Sequence, residues 1–240
     1  MLKLLSSGLI VLVLTTGLSI DTLVQAPSIA KAEQSQPSWW EAILRSVRRR
    51  PPVSRRSGGG RGDFDAIAPG IWTPQVLTTQ PMVIWRHRGS ISRLPDRIEI
   101  VPVGQKTIVW KQSLPATSFF AAKVGVALQS GQTYRLRFLK EEKETRKSIE
   151  FRVLSDSERQ PILQVLNQTE TALRSQQATP KEILTKRIEI LSNYGLWSDA
   201  LQEINSSELP ALERQQLTQA IVDQWYQARQ KKQPEHPESH

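Results

Sequence analysis

The sequence predicts an α+β protein, an immunoglobulin-like antiparallel β-sandwich followed by a C-terminal helical hairpin and one further helix. Two observations carry that expectation. Residues 64–154 hold short runs in which apolar and polar side chains alternate with a period of two, broken by Pro, Gly, Ser or Asp. After Ser155 the apolar spacing changes to 3.6. A third observation sets the order of the whole chain: an apolar leader and an arginine-rich stretch precede the folding region. The expected division is a signal peptide over 1–32, a basic amphipathic helix and Arg/Gly/Pro-rich linker over 33–62, the β-sandwich over 63–154, a helical region over 155–230 and a disordered tail over 231–240.

The leader has a positive residue, Lys3, then a run from Leu4 to Ile20 that is apolar apart from Ser, Thr and Gly, and then Ala30-Lys31-Ala32. Ala30 and Ala32 are small residues at the −3 and −1 positions of a cleavage site after Ala32. An uncleaved anchor is the competing reading. It is disfavoured because the run falls short of the roughly 20 apolar residues that span a bilayer. Arginines on the exported side would also oppose the positive-inside preference. The expected location is therefore exported, in the periplasm, cell envelope or medium.

Ser38-Trp39-Trp40-Glu41 has the spacing of a capping box, in which serine and glutamate satisfy the free N–H groups of a helix start. Trp40, Ile43, Leu44 and Val47 recur at i, i+3, i+4 and i+7, with Trp39 beside them. Arg45, Arg48 and Arg49 fall off that stripe, and Pro51-Pro52 ends the helix. Such a stripe either meets an anionic membrane or a partner, or docks on the chain's own fold.

The charge of the chain is uneven. Its 240 residues carry 32 Lys+Arg against 23 Asp+Glu, a formal net charge of +9. Between 45 and 61 lie Arg45, Arg48, Arg49, Arg50, Arg55, Arg56 and Arg61 without one carboxylate. Residues 48–62 are apolar-poor and rich in Pro, Gly and Ser, the composition of a linker. A cationic run of this kind favours anionic partners through a salt-sensitive, non-specific attraction. Nucleic acid is set aside because of the leader. Anionic lipid, acidic polysaccharide or an acidic envelope protein remain, with peripheral membrane association open and a merely solvated tether as the bland alternative. Arg61-Gly62-Asp63 is a three-residue match to an adhesion motif and carries no weight beside a Gly/Arg run.

Strands are expected at Ile71–Leu77, Met82–Arg86, Arg97–Val103, Thr107–Lys111 and Lys123–Leu128. Two more follow around Tyr134-Leu136-Phe138 and Ile149-Phe151-Val153, which alternate cleanly with charged residues. KEEKETRK between these two reads as a charged turn in which Glu141, Glu142 and Glu144 pair with Lys140, Lys143 and Arg146. Trp72, Trp85 and Trp110 read as packing residues rather than a ligand platform. In the helical region Ile162, Val165, Leu166 and Leu173 mark a first helix starting near Ser157 or Pro161. Thr179-Pro180 caps a second with the stripe Leu184, Ile188 and Leu191. Gly195 ends it, a tight turn leads into Ser198–Asn205, and a last helix runs from about Pro210 to Arg229. Tyr194–Leu201 resembles the junction inside a tetratricopeptide helix pair, but one junction does not make an array.

The order of leader, Gly58-Gly59-Gly60-Arg61-Gly62, β region and Gly195-Leu196-Trp197-Ser198-Asp199-Ala200-Leu201 resembles a cyanobacterial exported family catalogued as a domain of unknown function. Val83-Ile84-Trp85, Val109-Trp110 before Leu114-Pro115, and Leu128-Gln129-Ser130-Gly131-Gln132-Thr133-Tyr134 are further points of likeness, which spans about Gly58 to Leu201. The segment after the Tyr134 strand is shorter here, and the sandwich has no cysteine. The resemblance implies exported location and architecture, and no activity.

Little in the sequence points to chemistry. With no Cys there are no disulfides, thiolate metal sites or cysteine nucleophiles. His87 is the one histidine outside the C-terminal tail, where His236 and His240 lie. A Ser-His-Asp site would have to orient His87 by Asp63, Asp65 or Asp96, and nothing in the spacing favours it. No phosphate-binding glycine motif occurs. The expectation is no catalytic residue, no metal and no cofactor: a non-catalytic exported binding module. An adaptor that binds another envelope protein through its helical hairpin is the alternative, with a carboxylate-based hydrolase third.

Overall fold

A computed structural model of the chain describes residues 38–49, 64–70, 74–87, 94–117, 119–144 and 148–230. These residues lie within one compact unit, Gln36–His240. They form an α+β structure with two mostly antiparallel sheets followed by four C-terminal helices. Strands β1 (Phe64–Ala68), β3 (Met82–His87) and β6 (Phe119–Lys123) make a three-stranded sheet in the order β1-β3-β6. The larger sheet has the order β2-β9-β7-β4-β5, built from β2 (Gln75–Val76), β9 (Ile149–Val153), β7 (Thr133–Lys140), β4 (Arg97–Pro102) and β5 (Trp110–Ser113), with β8 (Lys143–Glu144) folded back on β7.

The two sheets share a core. Alternate residues of β3, Val83 and Trp85, meet Ile98 and Ile100 of β4, Leu136 and Phe138 of β7, and Phe151 and Val153 of β9. Trp85 packs against Phe120 with centroids 6.2 Å apart, and Tyr134 stacks on Phe151 at 5.8 Å. The intervening β3 residue, Ile84, belongs to a second core shared with the helices, against which Met82 and Phe119 also pack. The three-stranded sheet is thus a middle layer, apolar on both faces. The outward face of the larger sheet is a ladder of ion pairs. Glu99, only 2% exposed, lies between Arg97, 3.0 Å from it, and Arg137, its direct cross-strand neighbour. Arg135 pairs with Glu150 at 3.1 Å.

Several expected strands are displaced. β1 was not expected, and β5 starts at Trp110 instead of Thr107. The expected strand Lys123–Leu128 does not form beyond Lys123, the end of β6: Val124 and Leu128 are buried but Val126 is exposed, and residues 124–128 run irregularly beside the 79–81 loop. There the Val124 N–H donates to the Pro81 carbonyl at 2.9 Å and the Leu128 N–H to that of Thr79 at 2.8 Å. The strand in this region lies upstream, at Phe119–Lys123. Within the expected strand Ile71–Leu77, Gln75–Val76 pairs parallel to β9, so the larger sheet is mixed; residues 71–73, Trp72 among them, lie outside the described residues. In the charged turn Glu142 takes both terminal guanidinium nitrogens of Arg97, at 2.5 and 2.6 Å, while Arg146 lies outside the described residues. Arg97 beside it lowers the Glu142 pKa.

The helical region holds α2 (Asp156–Ser175), α3 (Pro180–Asn193), α4 (Trp197–Ser206) and α5 (Ala211–Gln230), each packed on its neighbour in sequence, so the expected hairpin is part of a longer run of helices. Sequence capping signals explain the starts. Thr179 accepts from the Glu182 N–H, while Glu182 accepts the Thr179 N–H at 2.7 Å and has its pKa lowered by that bond. At α2, Arg152 first and then Ser155 hold the Glu158 carboxyl down to about 2. Gly195 ends α3 with φ +73°, its N–H bonded to the Ser192 carbonyl at 3.0 Å and that of Leu196 to Leu191 at 2.9 Å, the paired bonds of a Schellman turn. A Cβ at Gly195 would meet nothing within 4 Å, so the constraint is the dihedral alone. Gly195→Ala should therefore cost about 1–2 kcal/mol, the usual penalty for left-handed backbone, read as a lower urea midpoint; an unchanged midpoint would count against this account of the turn.

Candidate functional site

The chain's basic helix forms as α1 (Ser38–Arg49), with Glu41 in its first turn and Arg48 and Arg49 in its last. Both termini thereby complement the helix dipole. Trp40, Ile43, Leu44 and Val47 are exposed by only 6, 1, 4 and 1% and belong to the core shared with the C-terminal helices. The stripe offered to a membrane or a partner is occupied by the chain's own α3 and α5, against which α1 packs. The reason is shape and chemistry: four apolar side chains on one face meet the apolar faces of α3 and α5, which carry Ile188, Leu191, Ile221 and Trp225 in the same core. Each such side chain gains roughly 1.5–3 kcal/mol on full burial. A bilayer would cover the face of α1 alone, whereas docking removes both faces from water.

Polar contacts steer the helix at its edges. Trp39, partly exposed, lies edge-on to Trp40 at 5.9 Å, and the Lys181 ammonium of α3 sits 4.9 Å from the centroid of the Trp39 ring. Lys181 also reaches Glu213 of α5 at 3.3 Å. Arg48 pairs with Glu41 along the helix at 3.1 Å. Docking the stripe turns Arg45, Arg48 and Arg49 outward, and all three are exposed. Arg50, Arg55, Arg56 and Arg61 lie outside the described residues, as do Ala30 and Ala32.

Of the residues with catalytic potential, the register of β1 and β3 sets His87 opposite Phe64, one position from Asp65. His87 is the last residue of β3; Asp65 is in β1, its backbone paired in register with Arg86; Asp63, His236 and His240 lie outside the described residues. Asp96 is exposed, with its carboxylate accepting the Glu141 N–H at 2.8 Å. Among the described residues no group of three or more His, Cys, Asp or Glu is placed to hold a metal. Among them, too, no helix is long and apolar enough to cross a membrane.

Sequence reasoning missed a buried carboxylate inside the Gly195–Leu201 run. Leu196, Trp197, Ala200 and Leu201 are core residues, and Asp199, 6% exposed, faces the loop between β2 and β3. Its two oxygens accept the N–H groups of Leu77 and Thr78, each at 2.9 Å. Gln202, one turn on, accepts the Met82 N–H at 2.9 Å and donates to the Gln80 carbonyl at 3.3 Å. Arg159 of α2 completes the grip, donating to the Leu77 carbonyl at 2.7 Å and to Ser130 at 3.0 Å. Burial pushes the Asp199 carboxyl up to about 7 despite the two backbone donors, and nearby Glu203 adds to the rise. The signal available in the sequence was the acidic residue itself, standing among Trp197, Ala200 and Leu201 where a helix would otherwise bury only apolar groups. The arrangement is a structural clamp: both oxygens of Asp199 are engaged by backbone N–H groups.

No family model and no curated protein sequence matches this chain.

Proposed function

We propose that the chain is a non-catalytic, exported envelope protein whose immunoglobulin-like pair of facing sheets and helical layer form a rigid body for a cationic binding surface. It belongs, in this reading, with the exported family that its Gly-Arg segment and Gly195–Leu201 run resemble. The observation that carries the reading is the orientation of α1. Because its apolar stripe is docked, Arg45, Arg48 and Arg49 face outward at the head of the arginine run that continues through Arg61. The partner is an anionic polymer or headgroup surface met through charge, without insertion of the stripe.

Arg45, Arg48 and Arg49 are exposed, so replacing all three by Ser should leave the fold intact. At about 1 kcal/mol per arginine near an anionic surface, binding to acidic polysaccharide or anionic vesicles should fall about 100-fold at low salt. Extending the change to Arg50, Arg55, Arg56 and Arg61 should flatten the dependence of affinity on salt. Absent or salt-insensitive binding of the parent protein to both surfaces would overturn the reading.

A further inference from the structure

The slot that holds α1 is an interaction surface in its own right, because it accepts an amphipathic helix and the helix now in it belongs to the same chain. α3 and α5 flank α4, and α1 bridges them through Trp40, Ile43, Leu44 and Val47. The contact is apolar apart from its margins, where Lys181 lies over Trp39 and the Gln224 amide of α5 donates to the Leu44 carbonyl at 3.2 Å and accepts from Arg48 at 3.3 Å. The indole N–H groups of Trp39 and Trp40 are buried without an acceptor among the described residues. Such a contact is held chiefly by area and shape, and its polar contacts, Lys181 over Trp39 and Gln224 to Leu44 and Arg48, would be offered identically by a second copy. Fourteen residues, 50–63, separate α1 from β1, a connection that reaches at most about 50 Å when extended.

We propose that the slot between α3 and α5 also takes α1 from a second copy of this chain, giving a reciprocally exchanged dimer. Two occupants compete with the resident helix on different terms. A bilayer that drew α1 out would cover one apolar face and leave the slot bare. A second copy restores both faces with the same side chains, so exchange sacrifices none of the contacts and is opposed only by the loss of an independent body and by the reach of the connection. Exchange therefore rises with protein concentration. The inference does not depend on the anionic partner.

The absence of cysteine makes the test clean. Full-length Trp39→Cys carrying one affinity tag is mixed with full-length Lys181→Cys carrying another, incubated over a range of concentrations and treated with a short bis-maleimide. A Trp39→Cys and Gln168→Cys mixture is the control, since Gln168 is exposed on α2. The expected result is a doubly tagged product several-fold above the control and growing with concentration, alongside a dimer in light scattering of the unmodified protein. A monomer at every concentration with no doubly tagged excess overturns the proposal. So does a dimer without that excess, which would form through another surface. A chain carrying both Trp39→Cys and Lys181→Cys, which should cross-link within one copy when dilute, verifies that the substitutions leave α1 docked.

Discussion

Replacing Trp225 by Ala should lower the free energy of unfolding by about 3–5 kcal/mol, the range for deleting a buried tryptophan. Trp225 is 1% exposed and meets Trp197 edge-on, with ring centroids 5.6 Å apart. One ring comes from α5 and the other from α4, and both belong to the core that holds α1. Their removal therefore opens a cavity where three helices meet, and the surrounding aliphatic side chains cannot close it without moving a helix. Urea denaturation followed by far-ultraviolet circular dichroism measures the loss, and Trp225→Phe should recover much of it. A loss below about 1 kcal/mol for the alanine variant would mean that this site collapses freely and is not the keystone described.

Asp199→Ala should cost about 2–5 kcal/mol, because it strands the N–H groups of Leu77 and Thr78, one buried and one partly so. The pH dependence has a definite sign. The Asp199 carboxyl stands at about 7 in the fold against 3.8 in the unfolded chain. The native state therefore binds the extra proton between those values, and the stability this group contributes is full below 3.8 and lost as pH rises through 7. Between pH 5 and pH 8 the protein should lose about 3 kcal/mol through Asp199. The lowered carboxylates, Glu142, Glu158, Glu170 and Glu182, titrate below that window and act in the opposite direction. Asp199→Asn keeps one acceptor but points an amide donor at the other N–H. It should therefore be less stable than the parent at pH 5, by a margin that narrows towards pH 8. Parallel stability curves for the two proteins across this range would refute the assignment.

The clearest elements in the sequence were those with one wet face. β7 and β9 alternate because Arg135, Arg137, Glu150 and Arg152 stand on the outward side of the larger sheet. α3 announced itself by Thr179-Pro180 and Gly195, residues whose backbone preferences fix a start and a stop. β6 was misplaced for the converse reason. Phe119 packs towards the helices and Phe120 towards the larger sheet, so a middle-layer strand shows no alternation, and the period of two stands out instead at Val124, Val126 and Leu128. β1 combines one charged and two small residues with a register shift between Ala66 and Ala68, which erases any periodic signal. For the candidate site, the stripe and the arginines of α1 were legible as a pattern. Their destination was not, since an amphipathic face is the same whether protein or lipid covers it. Asp199 escaped because its partners are backbone groups, which no side-chain motif records.

The clamp has a consequence in time. The N–H groups of Leu77, Thr78 and Met82 find their acceptors 120 to 122 positions further along the chain, on α4. A polypeptide emerging from its N-terminus must therefore hold the loop between β2 and β3 open until the last helices arrive. The helix that closes this early loop is contributed near the end of the chain, and so long a separation makes assembly slow by the ordinary cost of distant contacts.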